Sequence, residues 1–151
     1  MISQNGINFN CYLNWSDIDE LVQKTVKKVE NRRYDTIIGI TNGGIIPARL
    51  IAREIDVDNI YFIYMLDKKV QNDLLPVFSK DKKYLIVDDI YDTGYTYTIV
   101  SQLLGNITIG CDFMFLLSRY EIKNDLIDKN SVFVGDFLNH DKWIVFPWEK
   151  N

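Results

Sequence analysis

At 151 residues the chain is long enough for one domain that buries about two-thirds of its unfolded surface, and its 47% hydrophobic and 25% charged residues are normal globular usage. A formal net charge of -4 argues against a dedicated nucleic-acid surface, and no apolar run has membrane length or the pattern of a signal peptide. Cys11 and Cys111 lack a metal or redox spacing and His140 is the only histidine, which favours a reducing cytoplasm over a disulfide scaffold and argues against His-rich metal or Ser-His-Asp chemistry.

Ser16 reads as a helix N-cap, with Asp17, Asp19 and Glu20 in the first turn. Ile18, Leu21, Val22, Val26 and Val29 recur at helical spacing, and Lys24, Lys27 and Lys28 read as a solvated face. Thr36–Ile40 is a short apolar strand followed by Thr41-Asn42-Gly43-Gly44, with Pro47 in the first turn of a helix that continues from Ala48 to Ile55. Gly43 and Gly44 at a strand-to-helix junction let the backbone approach a ligand closely, although such a pair also marks any tight turn. Ile60–Met65 reads as a strand. Residues 66–83 read as a charge-rich connection without periodicity, and loops of that length are usually functional or disordered.

Tyr84-Leu85-Ile86-Val87 reads as a buried parallel strand, followed by Asp88 and Asp89 and then by Asp92-Thr93-Gly94-Tyr95-Thr96 at the start of a helix. That turn offers consecutive backbone N–H groups and two hydroxyls, which suits a phosphate. The adjacent carboxylates would repel the phosphate unless a cation or hydroxyls lay between, and a ribose 5-phosphate with its diol on the acids satisfies both halves. The competing reading is solvated acids before an ordinary cap. The helix over Thr96–Leu104 stops at Gly105. Phe113–Leu117 is a strand ending at Ser118-Arg119, Val132–Asp136 is the last core strand, and Trp143-Ile144-Val145-Phe146-Pro147-Trp148-Glu149 forms an aromatic tail.

Residues 84–98 resemble the phosphoribosyl-diphosphate (PRPP) binding motif of the type I phosphoribosyltransferases. Residues 39–54 and 143–149 are similar to the diphosphate loop and base-binding tail of the purine branch, notably its bacterial xanthine-guanine members. The whole resemblance spans roughly 36–149. It implies an α/β fold with a mainly parallel central sheet, helices on both faces and a small hood from the termini, as one phosphoribosyltransferase domain over residues 1–151 in a cytoplasmic homo-oligomer. The implied reaction moves ribose 5-phosphate from PRPP to N9 of a 6-oxopurine, with Mg2+ and with no nucleic-acid or membrane partner.

By the same resemblance, Asp88 and Asp89 hold the ribose diol and its metal, and Asp92 lies near purine N7 as proton acceptor or donor. Thr93, Gly94, Tyr95 and Thr96 hold the 5′-phosphate, while Asn42, Gly43 and Gly44 face the diphosphate. Family members usually carry a basic residue where this chain has Asn42, and an amide gives a weaker grip than a charge-assisted bond. Arg119 stands where the family has a lysine on the carbonyl at purine C6; the alternative is a surface arginine at a strand end. Trp143 stacks on the base, the Ile144 carbonyl reads its edge and Trp148 is structural; against this, both tryptophans read as core or interface aromatics. The region over 66–83 corresponds to a mobile loop that closes over the reactants, without a convincing match to the loop motif. Two further possibilities stand beside the purine enzyme: a non-catalytic nucleotide sensor on the same fold, and a transferase for another base.

Overall fold

Thr36–Ile40 and the apolar run Tyr84-Leu85-Ile86-Val87 pair in parallel in the interior of the sheet, where cover on both faces buries them. The computed structural model describes residues 9–105, 111–121, 126–127 and 130–149. In chain order the elements are β1 (Asn10–Tyr12), α1 (Trp15–Lys27), β2 (Thr36–Ile40), α2 (Ile45–Glu54), β3 (Ile60–Ile63), β4 (Met65–Leu66) and β5 (Lys69–Val70). A 3-10 turn over Asn72–Leu74 leads to β6 (Tyr84–Tyr91), α3 (Tyr95–Gly105), β7 (Asp112–Ser118), β8 (Leu126–Ile127), β9 (Asn130–Phe137) and β10 (Trp143–Val145).

The central sheet runs β3-β2-β6-β7-β9-β8, parallel throughout except for the antiparallel edge strand β8. Alternation along the strands sorts the core into two layers. Ile37, Leu85, Val87, Met114 and Leu116 pack with Ile18, Leu21 and Val22 of α1 and with Ala48 and Ile51 of α2. Ile38, Ile86, Phe113, Phe115 and Val134 pack with Tyr97, Val100 and Leu104 of α3. The expected α/β sheet with helices on both faces is the observed architecture.

Several boundaries differ from expectation for local reasons. The N-cap of α1 is Asn14, not Ser16: the Asp17 N–H donates to Asn14 Oδ1 at 2.8 Å, and the Asn14 N–H donates to Asp17 Oδ2 at 2.8 Å. This reciprocal box satisfies two helix-end donors at once, which Ser16 at its position inside the helix does not do. Residues 66–83 are not wholly irregular either. Met65 and Leu66 pair with Val70 and Lys69 around Asp67 and Lys68, both left-handed at φ 52° and 62°. That turn lacks the Asn-Gly pair that normally announces a two-residue hairpin. Beyond it, Leu75 and Phe78 pack against the α3 layer.

β6 extends to Tyr91, so Asp88 and Asp89 lie within the ladder rather than in a loop, Asp88 opposite Phe115 and Ile90 opposite Leu117. A hood forms beside the sheet where β1 pairs in parallel with β10, aligning Asn10 with Trp143 and Cys11 with Ile144. Leu13 N–H donates to the Val145 carbonyl at 2.9 Å and fixes the register. No helix among the described residues is long and apolar enough to cross a membrane.

Candidate active site

The C-terminal ends of β2, β6 and β7 bring the singled-out residues together, the usual ligand position in an open parallel sheet. Asp88 is buried at the end of the apolar run of β6, and its Oδ1 accepts from the Asp89 N–H at 2.8 Å. Asp89 Oδ1 accepts from the Ile90 N–H at 2.7 Å. Burial pushes the Asp88 carboxyl well above the usual range, and the neighbouring Asp89 charge adds to the rise. Burial also raises Asp89; hydrogen bonds from Asp88 and the backbone offset part of this, while the Glu149 charge reinforces it. Two adjacent desolvated acids make a site that a cation or a diol would relieve.

Immediately after β6 the chain turns through Asp92, Thr93 and Gly94 into α3. Gly94 has φ 87°, and a Cβ there would lie 2.7 Å from the Tyr91 hydroxyl, so both conformation and space select glycine. Thr93 Oγ1 accepts from the Tyr95 N–H at 3.2 Å, and the Gly94 carbonyl accepts from the Thr98 N–H at 2.9 Å. A cavity of about 180 Å³ opens here, lined by Asp88 through Tyr97 and by Phe115.

The Thr41-Asn42-Gly43-Gly44 turn meets the same acids from β2. A Cβ on Gly43 would overlap the Asp89 carboxylate, so the two segments touch without an intervening side chain. Asn42 is exposed, its preceding peptide bond is cis, and its carbonyl accepts from the Ile45 N–H at 3.2 Å.

On the far side of Asp92 a second cavity of about 130 Å³ is lined by Asp89, Ile90, Asp92, Arg119, Trp143, Ile144, Phe146 and Glu149. Arg119 is not a loose surface arginine. Its side chain is 14% exposed, Nε donates to Asp92 Oδ1 at 3.2 Å and Nη1 donates to the His140 carbonyl at 3.0 Å. Trp143 presents 63% of its surface, while Trp148 lies stacked on Phe146 with centroids 4.9 Å apart. The two tryptophans therefore occupy different settings, one open to the cavity and one packed under the hood.

Six lining residues fall outside the site positions named from sequence: Ile90, Tyr91, Tyr97, Phe115, Phe146 and Glu149. Glu149 Oε2 accepts from the Phe146 N–H at 3.0 Å, closing the tail on itself, and its place directly after Pro147-Trp148 was the available signal. Among the described residues no group of three His, Cys, Asp or Glu is poised to hold a metal. A larger cavity of about 720 Å³, bounded by Arg32, Arg33, Tyr34 and Asp56, lies at the opposite ends of the strands and contains none of these groups. Size alone does not choose the site here.

A profile of the phosphoribosyl transferase domain matches residues 13–148. The chain is 34% identical over 122 residues to xanthine-guanine phosphoribosyltransferase of Desulfotalea psychrophila, covering 77% of this chain and 71% of that protein. It is 30% identical over 127 residues to the enzyme of the same name from Nitratidesulfovibrio vulgaris, covering 80% and 72%. Among solved structures, the purine phosphoribosyltransferase from Pyrococcus horikoshii superposes with a TM-score of 0.73 at 25% identity, covering 94% of this chain and 95% of that one.

Proposed function

The chain belongs to the phosphoribosyl transferase domain family, and on that footing we propose that it is a purine-salvage enzyme transferring ribose 5-phosphate from PRPP to a 6-oxopurine. The observation that carries this reading is contiguity: a desolvated acid pair, a left-handed Gly94 turn at the start of α3 and an Asp92–Arg119 pair under an exposed tryptophan share one set of strand ends.

In this mechanism the base N9 attacks ribose C1′ as the C1′–O bond to diphosphate breaks. Asp88 and Asp89 hold the ribose diol, and Thr93, Gly94, Tyr95 and Thr96 enclose the 5′-phosphate at the positive end of α3. Asn42, Gly43 and Gly44 face the diphosphate. Asp92 accepts or donates the proton at purine N7, and Arg119 donates to the oxygen on C6. Trp143 stacks on the ring while the Ile144 carbonyl reads its edge.

The donor set fits Mg2+: Asp88 and Asp89 are two hard oxygen ligands, and this ion is commonly held by one or two carboxylates together with substrate phosphates. Those same two residues would hold it. When bound, Mg2+ neutralises charge on the departing diphosphate. One domain over residues 1–151, a homo-oligomeric assembly and a cytoplasmic setting complete the reading; the cysteines Cys11 and Cys111 suit a reducing compartment.

The test is a product screen by mass spectrometry with PRPP, Mg2+ and each common nucleobase. Nucleoside monophosphates of guanine, xanthine or hypoxanthine are expected, and none from adenine. PRPP binding without any nucleotide product would instead favour a sensor.

A further inference from the structure

The cavity at the phosphate turn is lined by three acids, Asp88, Asp89 and Asp92, and by no cation. On the base side the one cation, Arg119, is already engaged by Asp92 and the His140 carbonyl. A phosphomonoester carries about 1.5 to 2 negative charges at neutral pH, so it enters a site whose own side chains repel it. The backbone N–H groups at the start of α3 offset only part of that repulsion.

The β4–β5 hairpin is fastened to both phosphate-facing segments. The Met65 N–H donates to Thr41 Oγ1 at 3.2 Å, beside the Gly43–Gly44 turn. The Tyr95 hydroxyl donates to the Lys68 carbonyl at 3.0 Å, and Tyr95 is the first residue of α3. Lys68 is exposed, and no ion pair involves it among the described residues. It also has φ 62°, in a turn position that Gly or Asn occupies more readily. The turn geometry alone gives no reason for a lysine there.

We propose that Lys68 is the cation of the 5′-phosphate site, held beside the turn by the Tyr95–Lys68 hydrogen bond. This rests on the PRPP reading above and adds a residue to it. A lysine is a compact point charge on a flexible four-carbon stem, able to reach a phosphate without a fixed fork geometry. Because the contact is to the 5′-phosphate, it acts on PRPP and on a nucleoside monophosphate alike, and not on free diphosphate.

Calorimetric titrations of the parent, Lys68→Gly, Lys68→Arg and Tyr95→Phe with guanosine 5′-monophosphate, guanosine and inorganic diphosphate test this. Lys68→Gly should weaken the monophosphate about tenfold, the size of one charge-assisted hydrogen bond, and leave guanosine and diphosphate unchanged. Its melting temperature should hold or rise, because glycine suits the left-handed turn; a purely structural lysine would not separate binding from stability in this way. Lys68→Arg should restore most of the affinity, and Tyr95→Phe should show a smaller loss of the same pattern. If Lys68→Gly leaves the monophosphate unchanged, or weakens diphosphate instead, the proposal is overturned. If the parent itself binds no monophosphate, the PRPP reading falls and the proposal with it.

Discussion

Burial holds the Asp88 and Asp89 carboxyls above the ordinary carboxylate range, with the Asp89 charge adding to the rise at Asp88 and the Glu149 charge to that at Asp89, so both take up protons more readily in the folded chain than in the unfolded one. Between the unfolded value of about 3.9 and the raised values, the folded state carries more protons, and stability therefore falls as pH rises through that window. Asp88→Asn removes the more deeply buried of the two acids while keeping its shape. In the absence of ligand this variant should melt higher than the parent at pH 8 and converge with it near pH 4, while losing affinity for PRPP. Thermal scans across pH read the first effect and PRPP titration the second. A lower melting temperature at pH 8 would show that the acid pair stabilises the fold, contrary to the direction of its pKa shifts. The residue pair is thus expected to trade stability for binding, a common pattern at functional sites.

Among the elements, β10 and the tail behind it carry the two tryptophans in contrasting surroundings. Trp148 stacks on Phe146 and tilts against Trp15 with centroids 5.9 Å apart, whereas Trp143 is largely open. Trp148→Ala should cost about 3 kcal/mol of stability, at the low end for tryptophan truncation because the residue is only half-buried. Trp143→Ala should leave the melting temperature nearly unchanged and weaken purine binding by about 1–3 kcal/mol. Denaturant melts paired with base titrations separate the two; equal stability losses would make both tryptophans structural. The β6 strand, its acids and the following turn were legible in sequence because they are contiguous and each has a local signature. The β1–β10 hood was legible only as an implication of family resemblance, since Asn10–Tyr12 has too few residues for a periodic signal. The β4–β5 hairpin was hidden by its Asp67-Lys68 turn, and the Arg119–Asp92 pair by a separation of 27 residues that no local pattern spans.

Across the whole molecule, the parallel sheet gathers three distant segments at one set of strand ends: 41–44 after β2, 88–96 around the end of β6, and 143–149 in the hood. On the proposed reading, a base side and a diphosphate side flank the acid pair, so changes at the two ends should act independently on one reaction. With Asn42 facing the diphosphate as proposed, that side holds an amide in place of a charge, and Asn42→Arg should supply a charge-assisted contact. The most direct measurement is steady-state kinetics of nucleotide formation for the parent, Trp143→Ala, Asn42→Arg and the double variant, varying PRPP and a 6-oxopurine in turn. The expected result is a KM for the base raised about tenfold or more by Trp143→Ala, a KM for PRPP lowered by Asn42→Arg, and additive effects in the double variant. A Trp143→Ala enzyme with an unchanged KM for every purine, or an Asn42→Arg change with no effect on PRPP, would contradict a single site that joins base, ribose and diphosphate in this order.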